Sequence, residues 1–165
     1  MRWIPDIPVD RAKLRLTATY AVLDGLSLGI EWNPLDEDVG PLANWRVVDE
    51  TERRPALILG TSSDRIGTPS GRAYYATLSK DLTAWTGLAV APYAGAAYGE
   101  FDERVEAIGG LHIRWIPRLS STHLWDGVNL HHTLDWHFLG NLRAGAVLVE
   151  QDGEYYGGVS LGASL

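Results

Sequence analysis

The stretch "KLRLTATYAVLDGLSLGIEW", residues 13–32, alternates apolar and polar side chains on both sides of an Asp-Gly pair. Five apolar residues share one face of its first half: Leu14, Leu16, Ala18, Tyr20 and Val22. Because residues two apart in a strand point to the same face, this pattern predicts a β-strand with two unlike faces. Asp24-Gly25 between two alternating runs is a strong hairpin signal. The stretch therefore predicts two antiparallel strands joined by a tight turn.

The same period-2 alternation continues through most of the chain. It predicts strands at 14–22, 26–32, 54–65, 72–80, 85–98, 105–116, 128–138, 142–150 and 154–165, with a doubtful short strand at 45–49. Polar segments rich in Pro, Gly or Ser predict loops at 33–45 and 117–126. No segment has a convincing helical pattern. The chain is therefore predicted to be all-β and to form a single domain, residues 1–165.

Composition excludes several classes of protein. The net charge is -7, and the longest basic run is Arg53-Arg54, so binding to the nucleic-acid backbone is not expected. Cysteine is absent, which excludes disulfides, thiol nucleophiles and Cys-based metal sites. No apolar run is long enough for a transmembrane helix, and no leader peptide is visible at Met1.

The less apolar strand faces are built from small and polar residues, such as Ser27, Gly29, Gly145 and Ser160. The exposed face of a soluble sheet is usually rich in Lys and Glu, but this chain has just 2 Lys. Small polar residues suit the lumen of a narrow barrel whose apolar face contacts lipid. The sequence thus predicts an antiparallel up-and-down β-barrel of 8–10 strands that spans a membrane.

Aromatic residues support this prediction because they concentrate near strand ends. Transmembrane barrels carry such residues in girdles at the two membrane interfaces. The predicted interface aromatics are Trp32, Tyr74, Tyr75, Trp85, Trp115, Trp125, Tyr155 and Tyr156.

A short repeat links the N-terminus to the middle of the chain. "RWIP" occurs at 2–5 and again at 114–117, where it ends a predicted strand, and both copies precede a loop, a strand, a three-residue turn and a strand. The first copy is therefore expected to lie extended at the edge of the first hairpin. The repeat also suggests that the chain is a segment of a larger barrel or pairs with additional strands.

The stretch "GLSLGIEWNP…RRPALILGTSSDRIGTPSGRAYYATLSKDL" resembles the uncharacterised outer-membrane β-barrel proteins loosely grouped with the YjbH-like family, and its style is similar to small porin-like barrels. The resemblance covers nearly the whole chain in pattern rather than in fixed motif residues. It implies a bacterial outer-membrane location, no catalysis, and a role in export, envelope maintenance or passage of small solutes. It carries over no catalytic residue.

The segment "NLHHTLDWH" and the preceding strand hold the densest polar cluster. The candidate lumen or binding residues are Glu106, His112, Arg114, His131, Asp135 and His137. Two His and an Asp on one strand face are residue types that bind zinc. However, His131 and His137 lie too far apart along a strand to share one ion. The predicted role is a hydrogen-bonded lumen network; exposed polar side chains of a soluble sheet are the alternative. No metal or cofactor is expected.

"SSTH" at 120–123 and Asp126 supply the residue types of a serine hydrolase. The segment is predicted to be a loop and lacks a glycine-flanked nucleophile turn, so no enzyme is expected.

The main functional hypothesis is thus an outer-membrane barrel with a structural, envelope or small-solute pore role. Its partners would be membrane lipid, an unidentified small solute and, in an oligomer, other copies. A soluble all-β barrel or sandwich that binds a small ligand on an aromatic-lined surface is the alternative.

Overall fold

The computed structural model describes residues 1–138 and 140–164, which form a closed antiparallel β-barrel of 12 strands. Each strand pairs with its neighbours in the sequence, and the first strand closes the barrel against the last. The strands are β1 (Arg2–Trp3), β2 (Leu14–Leu23), β3 (Leu26–Asn33), β4 (Asp38–Val48), β5 (Ala56–Ser63), β6 (Arg72–Ser79), β7 (Val90–Gly99), β8 (Arg104–Ile116), β9 (Leu119–Trp125), β10 (Leu130–Phe138), β11 (Leu142–Gln151) and β12 (Glu154–Ala163). Two single-turn helices are α1 (Asp10–Lys13) and α2 (Thr83–Thr86).

The all-β antiparallel up-and-down barrel predicted from the sequence is confirmed, but it has twelve strands rather than 8–10. The two strands that were not predicted are β1 and β9, and β4 extends the short strand predicted at 45–49 back through most of the predicted loop 33–45. β9 pairs along its length with β8 and β10, and β4 pairs with β3 along residues 38–45 and with β5 from Ala43 onward. These ladder hydrogen bonds outweigh the weak strand propensity of Pro41, Asn44 and the Ser/Thr run.

The predicted strand 85–98 begins too early. Thr83–Thr86 instead forms α2, and β7 starts at Val90. Asp81 accepts a hydrogen bond from the backbone N–H of Thr83 at 2.7 Å, and Gly87 ends the turn with φ 72°. An acceptor before the turn and a left-handed glycine after it are ordinary helix-end signals. Trp85 therefore lies in a connection rather than in a strand.

The hairpin at Asp24-Gly25 forms as predicted. Thr17 pairs with Glu31 and Thr19 with Gly29, and Gly25 adopts φ 77° in the turn. This register fixes which side chains of β2 and β3 face the interior, because a shift of one residue would exchange the two faces.

The barrel is apolar outside and polar inside. Large apolar side chains stand exposed on the outer face of the strands, for example Tyr20 at 77 %, Ile30 at 58 % and Leu134 at 48 %. The buried polar or charged strand residues include Glu31, Asn33, Thr77, Ser120, Ser121, His131 and Asp135. All of these except Ser121 alternate toward the interior. This is the reverse of the arrangement in a water-soluble domain.

The N-terminal residues both close and fill the barrel. Arg2 and Trp3 pair with Arg15 and Leu14 on one side and with β12 on the other, so the first half of the RWIP copy is extended beside the first hairpin as predicted. Ile4 and Pro5 leave the strand. Residues 4–13, here called the N-terminal plug, then turn into the lumen. Gly158 permits this path, because a Cβ there would collide with the backbone oxygen of Trp3 and with Ile4.

The plug supplies the small apolar core of the protein. Ile4, Ile7 and Ala12 pack against the inward side chains of β11, Val147 and Val149. Both isoleucines are fully buried. The plug therefore occupies the lumen on the side of β11 and β12.

The connections define two ends of the barrel. The plug end carries the connections 34–37, 64–71, 100–103, 126–129 and 152–153; the opposite end carries 24–25, 49–55, 80–89, 117–118 and the turn after β10. Within residues 1–138 and 140–164, neither helix has the length and apolar character needed to cross a membrane.

Candidate functional site

The lumen opposite the plug holds a cavity of about 460 Å³. Its wall comes mainly from β5 to β8, and it includes inward aromatic residues and charges of both signs. The residues that line the cavity include Arg2, Arg15, Asp64, Tyr75, Tyr93, Glu106, Asp126 and His131. A cavity of this size suits a small molecule rather than a polymer.

Two arginines stand side by side at the wall of this cavity. Arg2 and Arg15 are cross-strand neighbours, and both line the cavity. Arg15 forms an ion pair with Glu31, which is fully buried. For Arg2, no ion pair is found among the described residues, and its Nε is buried without a hydrogen-bond partner there. The site therefore presents one neutralised cation and one cation that remains available to an anion.

The Arg15–Glu31 pair belongs to a chain of polar side chains. Asn33 donates from Nδ2 to Glu31 at 3.0 Å and to Asp38 at 3.3 Å. Removing one partner of a buried ion pair costs about 3–5 kcal/mol, because the other charge is left in a poorly solvated place. This chain holds β2, β3 and the start of β4 in register on the inner face.

Arg11 of the plug anchors the connection 64–71 over the plug end. Its guanidinium donates to the backbone oxygens of Gly71 and Asp64 at 3.0 and 3.1 Å, and to the hydroxyl of Thr68 at 3.0 Å. Burial lowers the pKa of Arg11, and the carboxylates of Asp38 and Glu31 oppose this shift. Asp64 in turn accepts a hydrogen bond from the backbone N–H of Phe101 at 3.0 Å. The plug, the connection 64–71 and the next turn thus form one cap.

The six predicted lumen residues all lie on inward positions of β8 and β10 by strand register, but they do not form a single network. Glu106 pairs with Arg104, and His112 contacts the hydroxyl of Thr122 at 3.1 Å. Arg114 is exposed near the opposite end, and no ion pair of it is found among the described residues.

The three predicted residues of β10 are separated in the same way. His131 is buried against Asp126 of the preceding connection, with Nε2 and Oδ2 2.7 Å apart. Asp135 accepts hydrogen bonds from Thr133 and Ser160, each at 3.2 Å. His137 is exposed and lies 3.5 Å from the hydroxyl of Ser120. His131, Asp135 and His137 therefore each bond to different partners rather than to one another.

The Asp126–His131 pair is the most enclosed ionisable pair at the cavity wall. Burial raises the pKa of Asp126, but the hydrogen bond from His131 and those from the backbone N–H groups of Asn129 and Val128 outweigh it, so the net pKa is below its ordinary value. Asp126 is therefore a carboxylate at neutral pH. His131 Nδ1 is buried and has no partner among the described residues.

Most of the predicted interface aromatics face outward, and two do not. Trp32, Tyr74, Trp85, Trp115, Trp125 and Tyr155 are exposed. Tyr75 lines the cavity, where Asn44 donates to its hydroxyl at 3.1 Å, and Tyr156 packs on the plug. The prediction was wrong for these two, because adjacent Tyr-Tyr residues on one strand must point to opposite faces.

The hydrolase combination considered for residues 120–126 does not assemble with Asp126. Residues 119–125 form β9 rather than a loop, and Asp126 turns inward to His131. His123 points outward instead, beside His132. Within the described residues, no group of three or more His, Cys, Asp or Glu side chains is arranged to hold a metal ion.

No known protein family, curated protein or solved structure matches this chain.

Proposed function

We propose that this protein is a bacterial outer-membrane β-barrel with a structural, envelope or small-solute pore role. The observation that carries the proposal is the inverted polarity of the closed barrel, with exposed Tyr20, Ile30 and Leu134 outside and buried Glu31 and His131 inside. In lipid, a closed barrel satisfies every strand hydrogen bond while its apolar side chains contact hydrocarbon.

The size of the strands agrees with this environment. β2, β7, β11 and β12 have 10 residues each, β4 has 11 and β8 has 13, and about 9–11 tilted residues cross a hydrocarbon core. In water, so much exposed apolar surface would favour aggregation. Lipid is thus the partner that the outer face fits best.

The outward aromatics support two membrane interfaces. Residues near the plug end are Trp32, Tyr74, Tyr98, Trp125 and Tyr155; residues near the opposite end are Trp45, Trp85, Trp115 and Trp136. Aliphatic and small residues such as Ile30, Ala96 and Leu148 lie between the two groups. Trp and Tyr favour the headgroup level, because their rings combine an apolar body with a hydrogen-bonding edge.

The lumen favours a small polar solute with negative charge. The cavity is narrow because the plug fills the side of β11 and β12, and Arg2 offers a cation without an ion-pair partner among the described residues. A guanidinium binds carboxylate and phosphate groups well because its N–H groups match their oxygens. We assign the non-enzymatic role of the proposal to this lumen.

The proposal is tested by membrane extraction and gel mobility. We expect the protein to fractionate with membranes, to require detergent for extraction, and to migrate differently in gels before and after boiling. A protein that remains soluble and monodisperse without detergent, with no heat-modifiable mobility, would contradict the membrane barrel. That result would favour the soluble ligand-binding barrel instead.

A further inference from the structure

A chain of hydrogen-bonding side chains lies on the outer, apolar face of β8, β9 and β10. Trp115 donates from Nε1 to the hydroxyl oxygen of Ser121 at 3.0 Å. The same oxygen lies 3.3 Å from Nε2 of His123. Nδ1 of His123 lies 2.7 Å from Nδ1 of His132, its direct cross-strand neighbour. None of these residues takes part in the lumen site.

The direction of this chain follows from its donors. The Trp115 indole can only donate, so Ser121 accepts from it and has its own O–H left to give. The acceptor available to that O–H is Nε2 of His123, which leaves the His123 proton on Nδ1, pointing at His132. In the reverse direction, Ser121 would accept two hydrogen bonds and its O–H would have no partner here. The arrangement in which the Ser121 hydroxyl both accepts and donates a hydrogen bond therefore runs from Trp115 to Ser121, to His123 and to His132.

Ser121, His123 and His132 are thus linked in the same order as the nucleophile, the base and the group that orients the base in a hydrolase. In serine hydrolases a hydroxyl donates to one ring nitrogen of a histidine, and the other ring nitrogen donates to a third side chain. A separation of 3.3 Å between nucleophile and base is within the looser range seen before substrate binds. Here His132 occupies the third place.

The position of the chain is unusual for a purely structural feature. Polar side chains that face hydrocarbon are costly, and the neighbouring outward positions are Leu119, Leu134 and Leu148. These residues, with the small Ala146, form a groove of about 590 Å³ that runs past Ser121 and both histidines. The groove is apolar apart from the hydrogen-bonded chain and Thr133.

The Ser121 end of the chain lies at the level where lipid ester bonds are found, while His123 and His132 lie deeper, level with Leu148. Trp115 belongs to the outward aromatics near the opposite end, and Ser121 is bonded to it. Indole rings favour the level of the lipid headgroups, where acyl chains are esterified. An acyl chain lying in the groove would therefore bring its ester carbonyl close to Ser121.

We propose that Ser121, His123 and His132 form an acyl-ester hydrolase site on the outer face of the barrel, with a membrane lipid as the class of substrate. The lipid substrate rests on the proposed function, since a membrane presents its acyl chains to the outer wall. The site is distinct from the lumen, so this activity adds to the non-enzymatic role proposed there.

The reaction uses water as its only co-reactant. Ser121 Oγ attacks the ester carbonyl carbon while its proton passes to Nε2 of His123. The tetrahedral intermediate expels the alcohol, which takes that proton, and leaves an acyl group on Ser121. Water then gives a proton to His123 and attacks the acyl carbon, and Ser121 regains its proton as the fatty acid leaves.

Two neighbours of the nucleophile have separate roles. His132 is a positioning residue, because it holds the Nδ1 proton of His123 and stabilises the imidazolium that forms. Trp115 controls the access of substrate to Ser121. Ser121 is only 5 % exposed, and its hydroxyl oxygen accepts a hydrogen bond from the indole N–H. When an ester enters, the indole turns away and its N–H becomes free to bind the carbonyl oxygen.

The decisive experiment uses the full chain in detergent micelles, with a fluorophosphonate probe and p-nitrophenyl palmitate. We expect the probe to label Ser121, as located by peptide mass spectrometry, and Ser121→Ala to lower the rate of ester hydrolysis by at least ~10³-fold. Ser120→Ala is the matched control, because Ser120 is the adjacent residue and points inward. Far-UV circular dichroism and a cooperative unfolding transition verify that each variant is folded, whether or not the barrel lies in a membrane.

A second pair of variants separates positioning from structure. His132→Ala should lower kcat and move the acidic limb of the pH–rate profile to lower pH, because the His123 imidazolium loses its acceptor. His132→Gln keeps an acceptor oxygen and should restore part of the rate. If His132 had only a structural role, His132→Ala would leave the pH–rate profile where it is, and His132→Gln would restore none of the lost rate.

The inference is overturned if folded wild-type protein is not labelled at Ser121, or if Ser121→Ala hydrolyses the ester at the wild-type rate. Because micelles replace the bilayer in this assay, its outcome does not depend on membrane location. A protein that inserts into vesicles without ester hydrolysis disproves the hydrolase site alone. A protein that hydrolyses the ester but stays soluble without detergent disproves the membrane proposal alone.

Discussion

Inside the barrel, buried carboxylates such as Glu31 and Asp135 are paired with side chains that the strand register brings close. Alternation in the sequence predicts that Arg15 and Glu31 face the same side of the first hairpin. It does not predict that they meet, because that depends on the pairing of Thr17 with Glu31. For the same reason the sequence identified His131 but not its partner Asp126, which comes from a connection rather than a strand face.

Replacing Asp126 should destabilise the barrel in a pH-dependent way. The pKa of Asp126 is below its ordinary value, so its carboxylate stabilises the fold above that ordinary value, and this stabilisation disappears as pH falls through the lowered pKa. We expect Asp126→Asn to lower the free energy of unfolding by about 1–3 kcal/mol at pH 7 and by less at about pH 3, which is below the ordinary pKa of an aspartate. Urea unfolding in micelles measures this difference.

Asp24→Asn is the control for this prediction, because the Asp24 side chain is fully exposed in a turn where asparagine is equally suitable. It should leave the free energy of unfolding unchanged at both pH values. An Asp126→Asn effect of the same size at about pH 7 and pH 3 would show that the Asp126 carboxylate is not its source.

Among the elements, regular alternating strands were predictable and strands with turn-like composition were not. β2, β3, β6 and β11 agree with the prediction to within one or two residues. β9 and the first part of β4 were predicted as loops, because Pro41, Asn44 and the Ser-Ser-Thr run have weak strand propensity, and pairing with neighbouring strands compensates for it. The N-terminal plug gave no sequence signal, since its apolar residues follow no period.

The plug should contribute strongly to stability. Ile7 is fully buried against β11, so Ile7→Ala is expected to lower the free energy of unfolding by about 2–5 kcal/mol through lost contacts and an enclosed cavity. Ile30→Ala is the matched control, since it removes the same atoms from an exposed position on the outer face and leaves no enclosed cavity. Equal losses for the two variants, measured by urea unfolding in micelles, would contradict a packed plug.

For the whole molecule, the polarity of the two faces supports the proposed lipid environment. The outer face exposes apolar residues along almost every strand, while the lumen contains the plug, ion pairs and a cavity. The hydrogen-bonded chain at Ser121 interrupts the apolar outer face and forms the proposed second site.

An arginine on the outer face should be costly in proportion to its depth. Ile30 lies two residues from Trp32, toward the middle of β3, and Leu35 lies in the connection 34–37. We expect Ile30→Arg to lower stability in vesicles by about 2–4 kcal/mol and Leu35→Arg by about 0–1 kcal/mol. The inserted fraction, read from heat-modifiable mobility, measures the difference. Equal insertion of both variants would contradict lipid contact at Ile30.

The alternation of side chains established the strand class, the first hairpin and the two unlike faces, because a strand has a fixed period of two whatever its neighbours are. Five of the eight predicted aromatics lie exposed on strands, Trp85 is exposed in a connection, and all six predicted lumen residues take inward positions. The number of strands, the closure through Arg2 and Trp3, the plug and the pairs Asp126–His131 and His123–His132 depended on the folded barrel. These features arise from register and from contacts between distant segments, and such contacts leave no local pattern in the chain.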